Sequence, residues 1–285
     1  MERRVRKVLI VANMQKDDAG RLVDSVCSYL ESRSIKTQLI CFKGKPDIPP
    51  IDDDVDLAFS LGGDGTVLFS ARMLAERRIP ILAVNIGDFG FITEVSKDEW
   101  QSTFEEYLQG SVGVGERLML QVFIRRNGSE RIGPFFALND AVIGAHNISK
   151  VVKLGVQVSD TPIGRYRADG LLVSTPTGST AYSMAAGGPI LTPDMQAMVL
   201  NPICPFTLSN RPLVVPGSET ITVEVEEQRS EIILTLDGQT VVPLLTMDSI
   251  QIGKAPDMAL IVRSEKRNFL DVLRAKLKWA GGPDA

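Results

Sequence analysis

The residues best suited to chemistry form a glycine-rich loop around one carboxylate, with the sequence LGGDGT at positions 61–66. The loop follows an apolar segment and precedes a helical pattern. Glycine lets backbone N–H groups approach an anion closely, and a helix N-terminus adds positive potential. Asp64 would repel a phosphate unless it takes a proton, holds a metal or binds a sugar hydroxyl. The loop therefore predicts phosphoryl transfer, although an aspartate that only caps the helix would leave the same pattern.

A second glycine loop follows the next predicted strand and reads NIGDFGF at positions 85–91. In an open parallel sheet, loops at the carboxyl ends of adjacent strands share the crevice in which ligands bind. Two such loops in successive units are therefore expected to face one anionic ligand. The alternative is a pair of independent tight turns.

The third candidate is a hydroxyl-rich segment, TPTGSTAYS at positions 175–183, which follows an apolar strand. The small residues AAGGP at 185–189 allow a planar ligand to approach closely, and the hydroxyls offer hydrogen bonds.

A fourth candidate, Asn139-Asp140, opens another strand. Its amide could read a base edge and its carboxylate could hold ribose hydroxyls, but Asn-Asp is also a common turn pair.

Composition bounds the possible functions. The 285 residues are 44% apolar and 23% charged, as expected for a soluble globular protein. A net charge of −4 argues against a nucleic-acid surface. The three cysteines are widely spaced, which fits a reducing cytoplasm, and no apolar run is long enough for a membrane helix. Neither the P-loop pattern GxxxxGK[ST] nor GxGxxG after the first strand is present.

The elements that position these loops change character along the chain. In the first hundred residues, apolar strands alternate with amphipathic helices, which predicts a parallel sheet covered on both faces. The predicted strands are 8–12, 37–42, 56–61 and 80–86, and the predicted helices are 17–33, 66–78 and 98–109. After residue 113, short strands dominate to about residue 262, which predicts a mainly antiparallel β domain. A final helix is predicted over 266–279.

In this order, the motifs resemble those of the NAD kinase family, the ATP-dependent NAD 2′-phosphotransferases, over nearly the whole chain. The GGDG element is shared with phosphofructokinases and diacylglycerol-type lipid kinases, whereas TPTGSTAY is far more specific. The matching motifs are GGDGT at 62–66, Asn85 with Gly87, Gly90 and Phe91, Asn139-Asp140, Asp169-Gly170, TPTGSTAY at 175–182, GGP at 187–189, LSNRPL at 208–213 and DGQ at 237–239.

The resemblance implies an α/β plus all-β fold: a Rossmann-like N-terminal domain over 1–112 that binds ATP, and a C-terminal β-sandwich over 113–264 that binds NAD. The helix at 265–280 is expected to dock on the first domain. The implied reaction moves the γ-phosphoryl of ATP, with Mg²⁺ or another divalent cation, to the 2′-hydroxyl of the adenosine ribose of NAD. The family assembles as dimers or tetramers, so a cytoplasmic homodimer or homotetramer without nucleic-acid or membrane partners is expected.

The resemblance also assigns residues. Asp64 matches the catalytic base, and no protein metal ligands are assigned. The expected binding residues, drawn from both domains, are Gly63, Asp64, Gly65, Thr66, Asn85, Gly87, Phe91, Asn139, Asp140, Asp169, Thr177, Ser179, Thr180, Ala181, Tyr182 and Gln239.

Two positions depart from the family pattern. Phe206 stands where many relatives have histidine, and Asp88 occupies a position that is often basic or neutral. An extra negative charge near a triphosphate would weaken donor binding unless another charge offsets it. The rival functions are a lipid kinase of the diacylglycerol type and a dinucleotide sensor that has lost turnover.

Overall fold

The computed structural model describes residues 3–44, 49–87, 89–146, 151–207, 210–227 and 231–279. The chain divides into two compact units, one of residues 1–116 with 259–285 and one of residues 117–258. Within the described residues, no helix combines the length and the apolar character needed to cross a membrane.

The first unit opens with the predicted alternation of strands and helices. β1, β3 and β4 are buried along nearly their whole length and pair in parallel, which is typical of strands in a sheet covered by helices. The elements are β1 (Lys7–Asn13), α1 (Ala19–Ser32), β2 (Lys36–Phe42), β3 (Leu57–Gly62), α2 (Asp64–Met73), β4 (Ile81–Asn85), β5 (Val95–Ser96), α3 (Trp100–Gln109) and β6 (Val114–Arg117). The parallel sheet expected from the sequence is therefore confirmed.

The second unit consists of two six-stranded antiparallel sheets. Their apolar residues alternate along the strands and form one large core cluster, with Leu120, Val122 and Ile124 of β7 as examples. The elements are β7 (Leu120–Arg126), β8 (Glu130–Ala137), β9 (Asp140–Ala145), β10 (Val152–Val158), β11 (Thr161–Ala168), β12 (Gly170–Ser174), α4 (Tyr182–Ala185), β13 (Ala197–Ile203), β14 (Leu213–Pro216), β15 (Ile221–Glu227), β16 (Ile232–Leu236), β17 (Thr240–Leu244) and β18 (Ser249–Lys254). The predicted antiparallel sandwich is confirmed.

The strand order brings three turns of the second unit together. One sheet runs β14-β13-β12-β9-β16-β17, so β9 lies between β12 and β16. Both neighbours are antiparallel to β9, with Ser174 opposite Asp140 and Leu236 opposite Ala141. The start of β9 therefore meets the ends of β12 and β16, where the segments TPTGSTAY and DGQ begin.

The end of the chain returns to the first unit. β19 (Ala259–Val262) pairs in parallel with β4, giving the order β2-β1-β3-β4-β19-β6 with β5 beside β4. Helix α5 (Phe269–Leu277) follows it. A capping box between Asn268 and Asp271 fixes the start of α5, because each side chain accepts a hydrogen bond from the other residue's backbone N–H.

Candidate active site

Asp64 lies in the first turn of α2, directly after β3, and the second glycine loop holds its carboxylate. Oδ2 accepts a hydrogen bond from the backbone N–H of Phe91 at 2.8 Å. Oδ1 accepts three hydrogen bonds, from the N–H groups of Ile92 at 3.2 Å and Thr93 at 3.1 Å and from the Thr93 hydroxyl at 3.0 Å. The two glycine loops predicted to share a crevice are therefore joined through this carboxylate.

Thr93 connects Asp64 to the second glycine loop, and it was not among the residues predicted from the sequence. Its fully buried hydroxyl accepts hydrogen bonds from Asn85 Nδ2 at 2.8 Å and from the Gly90 N–H at 3.0 Å, and donates to Asp64. Asn85 also accepts from the Gly87 N–H at 2.6 Å. A threonine in a loop carries no distinctive sequence signal, so only its position three residues after Gly90 could have drawn attention to it.

The glycines of the first unit serve different purposes. A Cβ on Gly90 would lie 1.8 Å from Asp64 Oδ1, and one on Gly62 would lie 2.1 Å from Thr66 Oγ1, so both positions require glycine for packing. A Cβ on Gly63 would meet nothing within 4 Å. The chain itself therefore does not require glycine at position 63, whereas an anion that approaches the loop closely would.

Gly65 and Lys16 also lie near the two glycine loops. Gly65 lies in the first turn of α2, beside the buried Thr66. The ammonium of Lys16, in the segment after β1, lies 3.7 Å from the position a Cβ on Gly87 would take. Lys16 therefore brings a positive charge near the second glycine loop. Asp88, the acidic departure, lies outside the described residues.

In the second unit, several predicted residues line one pocket of about 410 Å³. The pocket is lined by Asn139, Asp140, Val142, Ala181, Tyr182, Thr235, Asp237 and Gly238. Asn139 and Asp140 lie at the start of β9, and Ala181-Tyr182 follow the turn after β12. Motifs separated by about a hundred residues therefore meet at one concave surface.

Asp237 organises the start of β9. Its buried carboxylate accepts the backbone N–H groups of Leu138 at 3.0 Å, Asn139 at 2.7 Å and Asp140 at 3.2 Å. Asp237 belongs to the DGQ motif at 237–239, of which only Gln239 was predicted to bind. Its role depends on contacts across 97 to 99 residues, which no local pattern reveals.

Asp140 is itself buried, with only 5% of the residue exposed, and its side chain is affected by the charge of Asp237. Burial, together with the negative charge of Asp237, raises the pKa of Asp140 from 3.8 to about 7. Both effects disfavour the charged form of a carboxyl. Asp140 can therefore change protonation near neutral pH, which is an uncommon property for an aspartate.

The hydroxyl-rich segment packs directly on Asn139. Thr175 Oγ1 donates to the Leu138 carbonyl at 2.5 Å, and the Thr175 N–H donates to the Asn139 carbonyl at 2.9 Å. A Cβ on Gly178 would lie 2.1 Å from the Asn139 carbonyl oxygen, so only glycine fits there. Among the described residues, the buried Asn139 Oδ1 has no hydrogen-bond partner, which leaves it available to a ligand.

The predicted binding residues of the hydroxyl-rich segment differ in whether their hydroxyls form hydrogen bonds within the protein. The buried Ser179 hydroxyl donates to the Pro176 carbonyl at 2.6 Å, and the Thr180 hydroxyl donates to that of Thr177 at 3.2 Å. Thr177 Oγ1 is buried, with no partner in the described part of the chain.

The remaining predicted positions lie in turns or at the surface. Asp169 is exposed in the turn between β11 and β12, and Gln239 lies in the turn after β16. Phe206 is 65% exposed, with the Arg167 guanidinium 5.6 Å from its ring centroid. Among the described residues, no group of three or more His, Cys, Asp or Glu side chains is arranged to hold a metal ion.

Comparisons with known proteins agree with this arrangement. A model of the ATP-NAD kinase N-terminal domain matches residues 45–112, and one of the ATP-NAD kinase C-terminal domain matches residues 138–264. The NAD kinase of Treponema denticola is 42% identical over 278 residues, covering 97% of this chain and 98% of that protein. The NAD kinase of Geobacter sulfurreducens is 38% identical over 282 residues, covering 96% and 99%.

Solved structures share the fold. A yeast NADH kinase complexed with NADH aligns with a TM-score of 0.85 at 22% identity, covering 98% of this chain and 90% of that one. An NAD kinase from Archaeoglobus fulgidus in complex with ATP aligns with a TM-score of 0.77 at 24% identity, covering 96% and 100%.

Proposed function

Since the chain belongs to the NAD kinase family and is an NAD kinase, which phosphorylates NAD with ATP, we propose that Asp64 is the general base of the transfer. It takes the proton of the 2′-hydroxyl of the adenosine ribose while that oxygen attacks the γ-phosphorus of ATP. The transfer is direct and in line, without a phosphoenzyme. Catalysis then rests on positioning and charge neutralisation, with Asp64 aligning the attacking hydroxyl.

The observation that carries this proposal is the unequal bonding of the two Asp64 oxygens. Oδ1 accepts three hydrogen bonds from Ile92 and Thr93, whereas among the described residues Oδ2 accepts one, from the Phe91 N–H. Oδ1 is therefore the anchored oxygen, and Oδ2 keeps a lone pair for the incoming proton. A base held in this way is already oriented before the substrate binds.

The N-terminal domain is proposed to bind ATP through its two glycine loops. Gly63, Gly65 and Thr66 offer the start of α2 to the phosphates, and Asn85, Gly87 and Phe91 form the facing loop. The open space beside Gly63 supports this assignment. Mg²⁺ or another divalent cation is proposed to arrive bound to the ATP phosphates, where it would supply positive charge.

The C-terminal domain is proposed to bind NAD in the pocket at the start of β9. The Asn139 amide reads the adenine edge and the Asp140 carboxylate holds ribose hydroxyls, while Ala181 and Tyr182 line the same pocket. The proposed site also includes Asp169, Thr177, Ser179, Thr180 and Gln239.

We further propose that the protein is a cytoplasmic homodimer or homotetramer. Its three free cysteines support a location in the reducing cytoplasm.

A coupled assay tests the assignment of Asp64. Purified protein, ATP, Mg²⁺ and NAD are mixed with a dehydrogenase that accepts only NADP, and the reduction of NADP is followed by absorbance. Asp64→Asn is expected to lower kcat by about a thousandfold or more, with the Kd for NAD unchanged within a few fold. The matched control Asp53→Asn removes a fully exposed carboxylate and should retain wild-type turnover.

Intact turnover of the Asp64→Asn protein would remove Asp64 from the mechanism.

A further inference from the structure

The loop that anchors Asp64 is itself contacted by Arg267, in the segment after β19. The Arg267 guanidinium lies over the ring of Phe89, with Cζ 4.2 Å from the ring centroid. Its Nη1 donates to the Glu94 carbonyl at 3.2 Å. Arg267 therefore touches both ends of the segment 89–94, whose middle N–H groups donate to Asp64.

Arg267 is fixed in turn by Glu99. The guanidinium donates to both carboxylate oxygens of Glu99, at 2.6 Å and 3.0 Å, and Glu99 also accepts the Ser96 N–H at 3.1 Å. The Arg267 hydrogen bonds hold the pKa of Glu99 at about 2, so the pair stays charged at any working pH. Bidentate pairing fixes the plane of the guanidinium, which a single flexible ammonium would not do.

Helix α5 supplies a second contact to the same loop. The Lys276 ammonium lies 5.5 Å from the centroid of the Phe91 ring. The backbone N–H of Phe91 is the donor to Asp64 Oδ2, the oxygen proposed to take the proton. Cationic side chains from the end of the chain therefore contact aromatic rings on both sides of Gly90.

We propose that Arg267 and Lys276 are positioning residues for Asp64, acting through the rings of Phe89 and Phe91. This inference rests on the proposed role of Asp64 as the general base. Gly90 has no side chain with which to anchor the loop, so the flanking rings and their cations add to the anchorage that Thr93 gives its backbone N–H. A base displaced by about 1 Å from its acting position loses one to two orders of magnitude in rate, while substrate affinity is little affected.

Kinetics of Arg267→Gln, with Lys266→Gln as the matched control, test the proposal. Lys266 also pairs with Glu99, at 3.7 Å, but its other contact is Ser102 rather than the loop. Arg267→Gln is expected to lower kcat about tenfold with KM for NAD unchanged within twofold, and Lys266→Gln to leave both unchanged. Lys276→Met should lower kcat about threefold, because it removes one weaker contact.

Two further measurements separate positioning from general stability. Arg267→Lys should recover part of the lost kcat, because an ammonium can still lie over Phe89. In a Phe89→Leu background, Arg267→Gln should have less than half its effect on ln kcat, because the ring through which it acts is gone.

The outcomes distinguish this inference from the proposal on which it rests. Equal losses of kcat and thermal stability in Arg267→Gln and Lys266→Gln, or full additivity with Phe89→Leu, would overturn the positioning role. Unchanged kcat in Arg267→Gln, alongside an inactive Asp64→Asn, would refute the positioning role and leave the base intact. An active Asp64→Asn would refute both.

Discussion

The carboxylate of Asp237 accepts a hydrogen bond from the backbone of Asp140 and, by its negative charge, opposes the ionisation of the Asp140 side chain. Its Oδ1 accepts the Asp140 N–H at 3.2 Å, and the two residues are only 7% and 5% exposed. Burial and the negative charge of Asp237 together raise the pKa of Asp140 to about 7, because both disfavour its ionised form. The arrangement couples the proposed ribose contact to solution pH.

The affinity for NAD should therefore depend on pH. The pKa of Asp140 is about 7, raised by burial and by Asp237. If the ionised carboxylate accepts hydrogen bonds from ribose hydroxyls, NAD binds that form, so its Kd should fall roughly tenfold from about pH 6 to about pH 8. Calorimetry across this range measures the change and should also detect a proton released on binding at the lower pH.

Two variants serve as controls for this prediction. Asp237→Asn should move the midpoint to lower pH, because one of the two causes of the raised pKa is removed, and Asp140→Asn should abolish the dependence. Stability changes in the opposite direction to affinity: Asp140 of the unfolded chain ionises at lower pH, so the folded state loses stability as pH rises from about 4 to about 7. A Kd for NAD that stays constant with pH in the wild type would contradict the assignment.

The glycines of the two loops should respond differently to a single methyl group. Gly90→Ala places a Cβ 1.8 Å from Asp64 Oδ1, so it should displace the carboxylate and lower kcat at least a hundredfold. Gly63→Ala meets nothing within 4 Å and should fold normally, yet raise KM for ATP if phosphates approach that face. Melting temperature and steady-state kinetics together check both, and a Gly63→Ala protein with wild-type KM for ATP would argue against phosphate contact there.

Removing the Thr93 hydroxyl should weaken both stability and turnover. Thr93→Val keeps the shape of the side chain but takes away the acceptor of Asn85 Nδ2 and of the Gly90 N–H, and a donor to Asp64. We expect a loss of about 1–3 kcal/mol in the free energy of unfolding and a fall of about tenfold in kcat. Urea denaturation and the coupled assay measure these, and Thr93→Ser should restore most of both.

The fold was predictable because its signals are local. The apolar runs at 8–12 and 56–61 predict buried parallel strands, and the structure has β1 and β3 there. The apolar spacing of Leu22, Val26 and Leu30 predicts a helix, and α1 buries all three. β19 was not predicted, because a four-residue apolar strand that returns to another unit's sheet carries no sign of its partner.

The candidate site was predictable where glycine or a carboxylate marks the motif, as at Asp64 and Asn139. Asp237 and Arg267 were missed because their partners lie far away along the chain. Thr93 was missed because a threonine in a loop carries no distinctive signal, even though Asn85 and Gly90 lie close to it in sequence. The Arg267–Glu99 pair spans 168 residues, and nothing in the residues around either one indicates the other. Such contacts are fixed by tertiary closure rather than by local sequence.

Gly178 should be essential for NAD binding through shape alone. A Cβ there would lie 2.1 Å from the Asn139 carbonyl oxygen, and a backbone atom has little freedom to move aside. Gly178→Ala should therefore shift the Asn139 amide and weaken NAD binding at least tenfold in calorimetry. Gly253→Ala is the matched control, because its Cβ would make only an ordinary contact at 3.8 Å. Wild-type affinity in Gly178→Ala, with unchanged thermal stability, would mean that the position of Asn139 does not govern NAD recognition.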